Sequence, residues 1–167
     1  MMRKTRLGWR ILALLVASLG LLLPYSAYAA LTVTSCTLST PAGMVFNTTL
    51  LSGLQSTTSV TLNCSTTGAG NATITINLSA GSSGSVSQRT QKQGATANVL
   101  TYNLYQDIGN LTLWGNTTAN QYSQKITANV VNQVITIYGK IDSTTANQSQ
   151  PVGTYSDPII TATVNWP

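Results

Sequence analysis

Short stretches of alternating or β-branched residues recur along the chain from Leu31 onward, with polar, turn-forming segments between them. The runs are Leu31 to Leu38, Met44 to Thr49, Thr58 to Cys64, Thr73 to Ser79, Val99 to Tyr105, Leu111 to Trp114, Val130 to Ile141 and Ile159 to Trp166. Period-2 alternation marks a strand with one face buried, so Val60, Leu62 and Cys64 share an inward face, as do Ile74, Ile76 and Leu78. In the last run Ile160, Ala162, Val164 and Trp166 face one way, and Ile159, Thr161, Thr163 and Asn165 the other. No stretch after Ala30 carries a helical period with start and stop signals, which disfavours a βαβ sheet. Seven or eight strands at this spacing predict an all-β sandwich.

The first 29 residues follow different rules. Arg3, Lys4, Arg6 and Arg10 form a basic start, Ile11 to Leu23 is apolar, Pro24 ends any helix, and Ser26-Ala27-Tyr28-Ala29 places small residues before a cut after Ala29. This is the pattern of an export signal peptide, residues 1–29, and leaves a single domain over residues 30–167. An apolar helix of that length spans only about 20 Å of a hydrocarbon core of about 30 Å, so no membrane span is expected in the mature chain.

Removing the leader changes the charge. Arg89, Lys92, Lys125 and Lys140 then face Asp107, Asp142 and Asp157, a net of +1, and no basic patch argues for nucleic acid or an anionic membrane. Cys36 and Cys64 remain, an even count in an exported chain, and predict a disulfide that restricts the unfolded state by about 3 to 4 kcal/mol. Two thiols without His cannot fill a tetrahedral metal site, so neither metal nor cofactor is expected. With no Trp between cysteines only 28 positions apart, the antibody arrangement does not apply.

Catalytic chemistry finds little to use. The chain has no His, and residues 30–167 contain no Glu, so Ser triads lack their base. The three Asp residues lie in turn-like segments and are expected to bond local backbone. A hydrolase is therefore a distant reading and the chain is read as non-enzymatic. Tyr102 shares a face with Leu100 and Leu104 and is expected in the core, whereas Trp114 suits either a core plug or a ligand platform.

The segments "TSCTLS", "GMVFNTT", "VTLNCS", "SQRT", "LTYNLYQD", "LWGN", "IYGKI" and "VGTYSDPIITATVNW" together resemble the spore coat protein U domain, the pilin-type domain of archaic chaperone-usher pili. The resemblance implies an incomplete immunoglobulin-like β-sandwich of about seven strands, completed by a donor strand from another chain. It implies an exported structural subunit for adhesion or biofilm formation, passing through the periplasm to the cell surface or a fimbrium. Its partners would be a periplasmic chaperone, an outer-membrane usher and other pilin subunits. Ile160, Ala162, Val164 and Trp166 would line or support the acceptor groove. Ala30 to Ser35, with Leu31 and Val33 as anchors, would form at most a short donor segment of about 20 Å, which suggests a terminal subunit. The competing reading is a monomeric secreted module that binds surface glycans through its aromatic turns.

Overall fold

The computed structural model describes residues 30–48 and 54–167. The expected leader and the end of the second expected strand at Thr49 lie outside the described residues. The described residues form the strands β1 (Thr32–Leu38), β2 (Val45–Thr48), β3 (Gln55–Thr67), β4 (Ala72–Leu78), β5 (Arg89–Lys92), β6 (Val99–Tyr105), β7 (Tyr122–Ile126), β8 (Val130–Ile141), β9 (Gly153–Ser156) and β10 (Ala162–Asn165). A single-turn helix, α1 (Thr145–Gln148), and a 3-10 turn at Gly81–Ser83 complete the regular structure. The sandwich predicted from the alternation is present, as two antiparallel sheets ordered β1-β3-β8-β6-β5-β9-β2 and β10-β4-β7.

Alternation decides which side chains enter the core. Val60, Leu62 and Cys64 of β3 and Ile74, Ile76 and Leu78 of β4 are all buried, and Ile135, Ile137 and Ile141 of β8 join them. Val33 and Cys36 of β1 both point inward although they are three residues apart. The register against β3 slips between Val33 and Ser35, and such a bulge restores the inward phase. Cys36 lies directly opposite Cys64 in that ladder and is bonded to it, as the cysteine count predicted.

The large sheet curls. Its far edge, β2, returns so that Met44 and Phe46 pack over Gly139 of β8, where a Cβ would collide with Met44 Sδ and lie 3.0 Å from the Phe46 ring. Glycine in mid-strand marks such a close approach. Phe46 then meets Tyr102 edge-on, with ring centroids 5.9 Å apart.

Several segments depart from the sequence expectation. β5, β7 and β9 arise in segments rich in Gln, Ser, Thr and Gly, where apolar alternation is too sparse to register. Leu111 to Trp114 is not a strand but a loop with one bridge, Tyr105 to Leu113. The cause is local: Asp107 accepts the Leu111 and Thr112 N–H groups, at 2.7 Å for Thr112, and holds the segment folded back. The burial that stands in for a ladder is that of Trp114. Its ring is fully buried, donates from Nε1 to the Ile76 carbonyl at 2.9 Å, and stacks on Tyr122 at 5.1 Å. Trp114 is thus a core plug rather than a ligand platform.

Candidate strand-acceptor edges

Each sheet has an edge strand drawn from an end of the domain. Among the described residues β1 pairs with β3 alone, and β10 pairs with β4 alone, in the register Ala162 to Leu78, Thr163 to Asn77, Val164 to Ile76 and Asn165 to Thr75. The two strands lie close in space, yet they belong to different sheets and share no ladder. One long side of each therefore presents unpaired backbone donors and acceptors, and such an edge is a template for another strand.

The side chains along this seam are incompletely covered. Ile160, Ala162 and Val164 pack against the core but stay half-buried, while their alternates Ile159, Thr161, Thr163 and Asn165 are exposed. Trp166 follows the strand at 40% exposure. On the opposing edge Val33 is buried at 5% exposure, with Leu31 half-buried beside the core. The four residues read as acceptor positions thus lie on one segment at the end of the domain, with Val33 on β1 across from it and Leu31 just before β1. Val33 is already spent on its own domain, paired with Thr66.

The expected local roles of the Asp residues hold for Asp107 and only partly for the others. Asp107 sits in its own loop, and the Thr112 and Leu111 N–H groups hold its carboxyl below the usual range. Asp142 accepts from Asn103 Nδ2 at 3.4 Å, and burial raises its pKa. Asp157 is 1% exposed and makes one local bond, from Ile159 N, and one long-range bond, from the Tyr102 hydroxyl at 3.0 Å.

Sequence reasoning missed what surrounds that carboxylate. Arg89 is fully buried, and its guanidinium donates to four carbonyls: Ser79 at 3.0 Å, Val86 at 2.9 Å, Trp114 at 2.8 Å and Leu78 at 3.4 Å. Desolvation lowers its pKa to about 10, while Tyr102 and Asp157 act to raise it. Burial, then the Asp157 charge, push the Tyr102 phenol far above its ordinary value. The available signals were that Arg89 is the sole Arg of residues 30–167 and that it, Tyr102 and Asp157 each lie in a segment that carries the family resemblance, with no apolar pattern to place Arg89 in the core.

No group of three or more His, Cys, Asp or Glu side chains able to hold a metal occurs among the described residues, and no described helix is long and apolar enough to cross a membrane. A search of curated proteins finds no match. The family model for the Spore Coat Protein U domain matches residues 25–163, covering nearly all of the described sandwich and β10 as far as Thr163. Sandwich, disulfide and family match agree, and the chain belongs to the Spore Coat Protein U domain family, structural pilin-like subunits of chaperone-usher assemblies.

Proposed function

We propose that this protein is an exported pilin-like subunit that accepts a strand from another chain between β1 and β10. The observation that carries the reading is the seam itself: two edge strands, one from each sheet, run close together with free backbone edges and half-buried apolar residues between them. An inserted strand would pair with backbone on either side and cover Ile160, Ala162 and Val164, with Trp166 near its end. A periplasmic chaperone occupies the seam first, and a neighbouring subunit replaces it at the usher, on the way to a surface fibre serving adhesion or biofilm formation. The charge-poor surface and the disulfide suit an oxidising, extracytoplasmic setting.

The same geometry supports reading the protein as a weak donor. After a cut at Ala29 the residues ahead of Cys36 span about 20 Å, and Val33 among them is part of the domain's own core. Giving that segment away would strip an edge strand from its own sheet. The subunit therefore belongs at a fibre end or in low copy.

The test is co-expression with the chaperone, usher and neighbouring subunits of its assembly system, followed by immunogold labelling of the fibres. Labelling at fibre ends supports the reading. Uniform labelling along the shaft contradicts the terminal placement, and a stable monomer that engages no chaperone favours the glycan-binding alternative.

A further inference from the structure

Three of the segments that carry the family resemblance deliver one residue each to a single buried cluster. Arg89 comes from "SQRT" on β5, Tyr102 from "LTYNLYQD" on β6, and Asp157 from "VGTYSDP" just after β9. None is more than 1% exposed. The cluster reaches from the large sheet across the core to the end of β4 and the segment that leads into β10. Arg89 grips the carbonyls of Leu78 and Ser79 at the end of β4, and Asp157 takes the N–H of Ile159 at 3.3 Å, three residues before β10 begins.

Between these two grips the start of β10 is fixed by Ser79. Its hydroxyl accepts from Thr161 N at 2.9 Å and donates to the Ile159 carbonyl at 3.3 Å, and its backbone N–H donates to the Thr161 carbonyl at 2.9 Å. Gly81 completes the fit. It adopts φ +66°, and any Cβ there would overlap Asp157 Oδ2.

We infer that Arg89, Tyr102 and Asp157 form a positioning device that sets the register of β10 on β4, and with it the face that β10 offers to an incoming strand. This rests on the strand-acceptor reading for its purpose. The need for such a device follows from the period of a strand. β10 has four residues and one partner, and a slip of one residue would turn Ile160, Ala162 and Val164 outward. A short edge strand has few contacts of its own to prevent that.

A carboxylate suits position 157 better than an amide. Its two oxygens each accept a hydrogen bond, one from the Tyr102 hydroxyl and one from Ile159 N. An amide there must turn its NH2 toward one of those donors. A buried Arg with no counter-charge would be costly, and Asp157 is the one buried acidic residue among those described.

The experiment is hydrogen exchange, read by mass spectrometry, on the oxidised mature protein and its Asp157→Asn and Tyr102→Phe variants. The second variant keeps the ring in the core if the first folds poorly. We expect the β10 ladder amides to exchange at least tenfold faster in either variant, while those between β3 and β8 change less than twofold. Equal acceleration in both sheets, or unchanged β10 protection, overturns the proposal. A second arm adds a synthetic peptide of about ten residues alternating valine and threonine and follows its uptake. Slower uptake by the variants than by the wild type supports the device, and equal uptake overturns its role in strand acceptance. If the wild type takes up no peptide while β10 still loosens selectively in the variants, the positioning stands and the acceptor reading fails.

Discussion

At the scale of single residues the core combines ordinary apolar packing with one buried charged group of each sign. Tyr102 links them, since its hydroxyl donates to Asp157 and its ring packs on Phe46. Replacing it by Phe removes a hydrogen bond to a charged acceptor and should cost about 1.5 to 3 kcal/mol near neutral pH. It should also change the alkaline limb of the stability profile. Tyr102 keeps its proton in the fold after the unfolded chain has lost it, so its stabilising contribution is full below about pH 10 and is lost as pH climbs. Arg89 acts with the opposite sign. Its folded pKa of about 10 lies below the ordinary 12.5, so its contribution to stability rises with pH between those values. Urea unfolding from pH 8 to 11.5 should show a shallower alkaline loss for Tyr102→Phe than for the wild type. Parallel profiles would mean that Tyr102 titrates alike in both states. Gly139 offers a simpler check: Ala there must displace Met44 and crowd Phe46, and should lower stability by about 1 to 3 kcal/mol in the same assay.

At the scale of elements, β6 and β8 lie where the alternation placed them, at Val99–Tyr105 and Val130–Ile141. Both carry dense apolar alternation because one face is buried, along Leu100, Tyr102 and Leu104 in β6 and from Ile135 to Ile141 in β8. β5, β7 and β9 were illegible because their inward residues include Arg89, Gln91 and Tyr155 rather than a run of aliphatics, and such strands owe their place to neighbours. The seam was legible for the same reason as the core: Ile160, Ala162 and Val164 alternate, and their half-burial is what an uncovered strand should show. What the alternation could not reveal is the polar anchoring of β10, since it depends on long-range bonds, Arg89 to the Leu78 and Ser79 carbonyls and Tyr102 to Asp157. Two element-scale outcomes follow. Cys36 and Cys64 should resist thiol labelling in the denatured, unreduced protein, and quantitative labelling of both would contradict the bridge. Replacing Val164 or Ile160 by Asp places a charge on the seam and should reduce recovery of the chaperone complex several-fold. Thr163→Asp, on the exposed face, should leave recovery nearly unchanged. Equal effects at Thr163 and Val164 would remove the distinction between the two faces.

At the scale of the whole molecule, the fold is a sandwich whose two sheets fail to meet at one seam. The disulfide ties the edge strand β1 to β3, and the Arg89, Tyr102 and Asp157 cluster holds β10 from the other side. Both borders of the seam are thus fastened to the core, and among the described residues no strand lies between them. An exposed apolar edge of this kind should make the isolated domain associate or aggregate, and a bound strand should stabilise it in proportion to its affinity. The most direct test of strand acceptance is to compare amide exchange of the isolated protein with that of its chaperone complex. We predict new protection along both β1 and β10, on the two facing edges together, with β2 and β7 unchanged at the far edges. Protection confined to some other surface, or an isolated protein that stays monomeric and takes up no strand, would contradict the account.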